Sequence, residues 1–417
     1  MASRPMPSSG IEMAEKQRTL GVAIAGLGVG STQVIPAMEK MAGIKLVAAA
    51  DLRRDALEAF RAKYHGRVYD SVEKLCSDPE VDAVWISTPN QFHCEHVILA
   101  AEHRKHIVVE KPMALSIEEC EKMVAAAEKN NVQLLCGHTQ SFNPAIRAMR
   151  QVIQSGELGR LCAIQSWMST DWMLRPRMPQ ELDLKLGGGV VYRQGPHQVD
   201  IVRLLGGGVV KSVRGMTGQW MKERPAPGYY CAYLEFADGT PATLVYNGYG
   251  YFDTSELTWG IGERHYTPEE RARIRKELRG GAIDEEKAKE AMRFGGERTG
   301  EFAHGAAQQG EQVRRGLPGG GHFFGITVAT CERGDIRQSA NGIYIYSDEG
   351  VREIPVAGRS ASRNSELQEL YEAVTQGRPV YHDGRWGMAT LEVCLAVMQS
   401  ARDRREILLS HQSPTHE

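Results

Sequence analysis

The run Gly26-Leu27-Gly28-Val29-Gly30-Ser31 has the residue types and spacing of a phosphate-cradling turn. Glycines permit a tight turn and let the backbone approach a pyrophosphate, and a helix starting there offers free N–H groups and a positive dipole end. Ser31 occupies the position that usually carries a third Gly or Ala; it is small, and its hydroxyl can reach a phosphate. Asp51 follows at the spacing of an acid that hydrogen-bonds the ribose hydroxyls of NAD and disfavours the 2′-phosphate of NADP. Arg53 and Arg54 come next and can pair with such a phosphate, so NADP is kept as the lesser expectation. The plain alternative is a glycine turn that binds nothing.

Such a turn needs a strand before it, a helix after it and a second strand ending at Asp51. Apolar runs at 20–25, 44–50, 81–87, 106–110 and 132–137 predict strands, and amphipathic stretches at 32–41, 55–64, 91–103 and 117–130 predict helices. Strands alternating with helices imply a parallel sheet covered on both faces, so the fold class is α/β, with a doubly wound Rossmann domain over 19–140. From 141 to 410 the pattern changes to an α+β domain with an open, mainly antiparallel sheet. Helices are expected at 143–156, 188–205, 365–375 and 387–402. Strands are expected at 161–169, 209–220, 229–236, 240–248, 323–330, 342–347 and 351–354. A helical, Gly-rich excursion fills about 260–321. Residues 1–18 are polar, lack the apolar core of a signal peptide and read as a disordered leader.

The chain has 417 residues, and 50 basic against 52 acidic side chains leave a net charge of −2. That balance argues against a general affinity for nucleic acid or for anionic membrane. No apolar run approaches the ~20 residues a membrane helix needs. The eight cysteines are scattered, with no CxxC pair and no zinc-type spacing. No metal is expected, and a reducing, cytoplasmic setting is.

Glu110-Lys111-Pro112 follows a strand, and Ser87-Thr88-Pro89-Asn90 precedes His93. Gly187-Gly188-Gly189 is followed by Gly195, His197 and Asp200. Together with the glycine turn, this combination resembles the Gfo/Idh/MocA oxidoreductase family, over nearly all the chain outside the leader and the excursion. The resemblance implies NAD lying across the carboxyl edge of the first sheet, its nicotinamide facing the open sheet of the second domain. It makes Gly26, Gly28, Gly30, Ser31, Asp51, Thr88, Pro89, Asn90, His93, Glu110 and Lys111 the expected cofactor-binding residues, and Lys111 and His197 the expected catalytic pair. A lysine ammonium beside a nicotinamide stabilises a developing alkoxide, and an imidazole can take the hydroxyl proton. A surface lysine and a buried structural histidine are the plain alternatives.

Many members of the family read Asp-x-Gly-x-His-x-x-Asp where this chain has Arg193-Gln194-Gly195-Pro196-His197-Gln198-Val199-Asp200. Arg193 replaces the acid, one helical turn before His197 on the same expected face. A guanidinium binds a carboxylate through two parallel hydrogen bonds, so this departure points away from a neutral sugar and toward an anionic substrate. Trp172 can stack on a flat substrate, and Arg175 or Arg177 can hold a second carboxylate; a solvated loop is the competing view. His138 is a further pocket candidate, with Ser141-Phe142 standing where the family often carries an arginine.

With Asn247-Gly248-Tyr249-Gly250, these segments resemble the phthalate cis-dihydrodiol dehydrogenase branch. The expected function is NAD-dependent oxidation of a carboxylated cis-dihydrodiol, of the phthalate 4,5-type, to the catechol in aromatic-compound degradation. A sugar, inositol or sugar-acid oxidoreductase stays open beside it, as do a non-enzymatic nicotinamide-binding sensor and a redox-neutral enzyme that keeps its NAD. The expected partner is a small anionic, aromatic-derived substrate. An uncovered apolar sheet face further predicts a homodimer or homotetramer.

Overall fold

The computed structural model describes residues 18–262, 266–296, 323–357 and 363–416. All but the last residue of the expected leader, and nearly all of the Gly-rich part of the excursion, lie outside them.

The first domain runs β1 (Leu20–Ala25), α1 (Ser31–Lys40), β2 (Ile44–Ala50), α2 (Arg54–Tyr64), β3 (Arg67–Tyr69), α3 (Val72–Cys76), β4 (Ala83–Ile86), α4 (His93–Glu102), β5 (His106–Glu110), α5 (Ile117–Asn130) and β6 (Leu134–Gly137). The six strands are parallel in the order β3-β2-β1-β4-β5-β6. The order reverses between β1 and β4, and the crevice at their carboxyl ends is where such sheets bind ligands. Strands buried on both faces read as continuous apolar runs, as β1 does with six of six residues buried. Ser116 caps α5, its Oγ accepting from Glu119 N at 3.2 Å. By contrast α1 begins at Gly30 with no side-chain cap, so its first N–H groups face the crevice without one.

The second domain runs α6 (Pro144–Ser155), β7 (Leu161–Ser169), α7 (Gly189–Arg193), α8 (Gly195–Leu205), β8 (Val210–Gly218), β9 (Tyr229–Phe236), β10 (Pro241–Asn247), α9 (Pro268–Arg279), α10 (Glu285–Ala291), β11 (Ile326–Cys331), β12 (Gly334–Gln338), β13 (Gly342–Ser347) and β14 (Gly350–Pro355). After these come α11 (Arg363–Gln376), α12 (Gly384–Asp403) and β15 (Ile407–Leu408). The sheet has nine strands in the order β14-β13-β12-β11-β7-β10-β9-β8-β15. Only β7 and β10 pair in parallel. One face carries α8 and α12, and the other leaves Trp167 and Tyr233 41% and 45% exposed.

Three features differ from the expected layout. The single helix over 188–205 is two helices broken at Gln194. Pro196 lies in the first turn of α8, where a missing N–H costs nothing, but it cannot continue a helix from α7. The short strands β3 and β12 have no apolar alternation to announce them. Finally, α11 leaves the second domain and packs into the core of the first: Leu367, Leu370 and Tyr371 are buried among Leu20, Ile24, Val34 and Ala49. The Tyr371 ring lies over Gly43, where a Cβ would come within 2.7 Å of it.

Candidate active site

Gly26 closes β1 with φ +95°, and a Cβ there would stand 2.8 Å from the Ser87 carbonyl oxygen, so only glycine fits. A Cβ on Gly28 would instead meet nothing nearer than 3.9 Å and project into the cavity that Gly28 lines. Asp51 fastens this turn to the end of β2. Its Oδ2 accepts from Leu27 N at 2.7 Å and its Oδ1 from Arg53 N at 2.8 Å. The Arg53 guanidinium folds back onto Asp51 and donates to the Leu27 carbonyl at 2.6 Å. Ser31 donates its hydroxyl to Gly28 O at 2.7 Å and is fully buried, so it braces the turn and does not line the cavity.

The second wall is the Ser87–Asn90 loop. Thr88, Pro89 and Asn90 line the cavity, and Asn90 Nδ2 reaches Gly187 O at 3.5 Å. His93 is buried behind that loop, its Nε2 2.9 Å from Thr88 O and its Nδ1 3.0 Å from Pro112 O. It ties the loop to the Lys111–Pro112 turn, whose peptide bond is cis. Burial lowers its pKa, so it is a neutral clamp that holds the wall without forming it. Glu110 is likewise buried, paired with Arg363 at 2.9 Å and accepting from Trp85 Nε1 at 3.3 Å. Burial works against the Arg363 charge, but Glu110 and Glu366 overcome it and raise its pKa. Nothing near Glu110 in the sequence announces this partner 253 positions away; only the fold brings it there.

Lys111 meets Arg193 behind this wall, and of the two only Arg193 lines the cavity. Lys111 Nζ donates to the Arg193 carbonyl at 2.7 Å, and Arg193 Nε donates to Gly187 O at 3.1 Å. Arg193 lines the cavity, and burial lowers its pKa against the opposing charge of Glu181. His197 follows on α8, buried and, like Lys111, not part of the cavity lining, its ring 5.4 Å from that of Phe324. The break at Gln194 means that Arg193 and His197 do not share one helical face.

The other expected substrate contacts lie elsewhere. Trp172 is 1% exposed in the core of the second domain, with the Arg177 guanidinium 3.6 Å above its ring. Arg177 is buried, bonded to Trp172 O at 2.9 Å and to Glu181 at 3.4 Å. Arg175 is spent on Asp171 at 2.9 Å and Thr170 at 3.2 Å. None of the three lines the cavity: an aromatic and two cations in a loop look like ligand contacts in sequence, but here Arg177 is held by Trp172 and Glu181, and Arg175 by Asp171 and Thr170. His138 is also 1% exposed and away from the cavity, and burial drags its pKa to about 4, so it stays neutral and does not act as an anion anchor.

Sequence reasoning missed Glu181, Lys289 and Arg293, which line the same cavity. Lys289 Nζ pairs with Glu181 at 3.0 Å. Burial alone would raise the Glu181 carboxyl, but Arg177, Lys289 and Arg193 outweigh it and hold it at about 2. Burial pulls Lys289 down to about 8 against the Glu181 charge. The acid pair Glu285–Glu286 and the basic residues one turn later mark a capped helix in sequence, but no local signal says where that helix docks.

The cavity holds about 580 Å³, within the range of small-molecule and cofactor sites. An open glycine turn, an uncapped helix start and a pinned acid at the end of β2 fit a dinucleotide: α1 and the turn would take its pyrophosphate, and Asp51 its adenosine ribose. Among the described residues no group of three His, Cys, Asp or Glu side chains is arranged to hold a metal ion. No described helix is long and apolar enough to cross a membrane.

Comparison with known proteins agrees. Residues 20–138 match the oxidoreductase family with an NAD-binding Rossmann fold, and residues 146–264 match the GFO/IDH/MocA C-terminal domain. A 1-carboxy-3-chloro-3,4-dihydroxycyclohexa-1,5-diene dehydrogenase of Comamonas testosteroni is 32% identical over 386 residues, 91% of this chain and 94% of that one. A crystal structure of a protein from Bordetella bronchiseptica RB50 superposes with a TM-score of 0.83 at 36% identity, covering 94% of this chain and all of that one. The WlbA dehydrogenase of Bordetella pertussis, solved with NADH and UDP-GlcNAcA, shares the fold at 20% identity with a TM-score of 0.67, covering 94% of this chain and 99% of that one. The chain belongs to the Gfo/Idh/MocA family and is an NAD-dependent oxidoreductase.

Proposed function

We propose that the protein oxidises a carboxylated cis-dihydrodiol of a six-membered ring, of the phthalate 4,5-type, to the corresponding catechol. The observation that carries this reading is Arg193: a half-buried arginine on the wall of the cofactor cavity, in contact with Lys111 through its own backbone. A planar cation there suits a carboxylate and has no use for a neutral sugar. The name of the Comamonas testosteroni relative, a carboxylated dihydroxycyclohexadiene, is in keeping with it.

In this mechanism Arg193 holds the ring carboxylate and orients the diol. His197 takes the hydroxyl proton, Lys111 stabilises the alkoxide charge this leaves, and that oxygen becomes the ketone carbonyl as the hydride leaves its carbon. NAD, when bound, accepts the hydride. The ketone then shifts a ring proton to oxygen and becomes the catechol, and the aromatic product drives the sum forward. NADH formation with a carboxylated cis-dihydrodiol, its uncarboxylated analogue, inositol and glucose tests the reading. Turnover of the carboxylated diol alone supports it; turnover of the polyols without the diol overturns it.

We further read the exposed face of the nine-stranded sheet, with Trp167 and Tyr233 outward, as a subunit interface of a homodimer or homotetramer. Sedimentation of a monomer at micromolar concentration would sink that assignment. Eight free cysteines suit a reducing, cytoplasmic setting.

A further inference from the structure

Helices α9 and α10 lie beyond the stretch matched to the family's C-terminal domain, which ends at residue 264. They form an arm joined to both domains. At its base, Glu285 takes Arg224 Nη1 at 2.5 Å and the Arg177 N–H at 2.9 Å, both from the second domain. At its far end, the Phe294 ring sits 6.3 Å from Phe60 and 5.9 Å from Tyr64 on α2 of the first domain. A Cβ placed on Gly295 would touch Ala59 Cβ at 3.5 Å. Between these anchors, Lys289 and Arg293 line the cavity shared with Gly28, Gly30 and Asp51.

We propose that this arm completes the dinucleotide site, with Lys289 and Arg293 binding the anionic pyrophosphate and its flanking riboses from a wall the glycine turn does not supply. The order of contacts sets the direction. Lys289 shares Glu181 with Arg193 at the Lys111 end, and Arg293 precedes Phe294, which docks on the helix that follows Asp51–Arg53. Lys289 near the end of α10 and Arg293 just past it are four positions apart, ~6 Å at ~1.5 Å per residue, the scale of a pyrophosphate. The charges agree. Arg177, Lys289 and Arg193 all act on the one carboxylate of Glu181, so positive charge is concentrated at this wall, while Asp51, Asp70 and Glu95 lie elsewhere on the lining. Burial pulls Lys289 down to about 8, and an anion arriving beside it would offset that by favouring the charged form.

The inference concerns the cofactor and stands whichever substrate is turned over. Its test is binding to the intact protein: dissociation constants for NADH, NADPH and ADP-ribose in Lys289→Met and Arg293→Gln, and the NADH dissociation rate in Phe294→Ala. Arg293 is at the arm's edge and partly exposed, so Arg293→Gln keeps the test decisive if Lys289→Met fails to fold. The expected result is a loss of about tenfold or more in affinity for NADH and ADP-ribose alike, with NADH leaving Phe294→Ala about tenfold faster. Unchanged NADH and ADP-ribose affinities, or a loss confined to NADPH, overturn the proposal. So does a raised KM for a carboxylated substrate without a change in cofactor affinity.

Discussion

His138 gives a stability prediction that can be worked from its surroundings. Its ring is buried 6.4 Å from that of His382, within reach of the charges of Asp200, Arg203 and Lys111. Neither ring nitrogen finds a hydrogen-bond partner among the described residues. Burial lowers its pKa from 6.5 to about 4, with Asp200 pulling the other way. An unfolded ring therefore takes up a proton below 6.5, and the folded one not until about 4. Acid favours unfolding across that window: the contribution is fully present above 6.5 and lost as pH falls toward 4. At ~1.4 kcal/mol per pH unit, the gap makes an upper bound of about 3 kcal/mol. His138→Gln removes the titrating group at the expense of some packing. Urea unfolding followed by tryptophan fluorescence, from neutral pH down to pH 4, should show the variant losing less stability than the wild type by up to that amount. His382, held above its ordinary pKa by Glu369 despite burial, titrates in both proteins and cancels to first order. A stability difference between the two proteins that stays constant across the window refutes the reasoning.

Gly26→Ala forces a Cβ against the Ser87 backbone at a positive φ; it should cost about 2 kcal/mol of stability and abolish NADH binding, read by thermal melting and fluorescence titration. Arg363→Ala leaves Glu110 and Glu366 buried without their cation. It should destabilise by about 3 kcal/mol near neutral pH and by less in acid, where Glu366, its pKa raised by burial, takes up a proton; equal loss at both pH values would contradict the pairing. Arg193→Met should raise KM for a carboxylated diol by about a hundredfold while NADH affinity stays within a few-fold, since a charged hydrogen bond contributes ~1.5–3 kcal/mol.

The cofactor half was legible because its signals are local. β1, β2 and β5 end where their apolar runs end, and Gly26 and Asp51 sit at those ends. The substrate half was only partly legible. Arg193 could be singled out by its departure from a motif, but Trp172, Arg175 and Arg177 could not be told from ligand contacts. Whether a cation is free or spent depends on partners such as Asp171 and Glu181, and on which way the loop folds. The Glu110–Arg363 pair and the Lys289–Glu181 pair join residues far apart in sequence, and nothing periodic in the chain predicts them. The helix break at Gln194 was foreseeable from Pro196 alone.

The return of α11 to the first domain bears on how the protein is made. Tyr371 donates to Arg18 O at 3.1 Å, and Leu367 and Leu370 fill the core beside β1 and α1. A nascent chain that has just finished β6 thus lacks part of its own interior. At 5–20 residues per second, the wait for α11 to emerge is on the order of 10–50 s. Through that interval the ribosome carries a Rossmann sheet with an apolar slot over Gly43 still empty, a surface that chaperones bind and that truncated fragments of the gene would expose permanently.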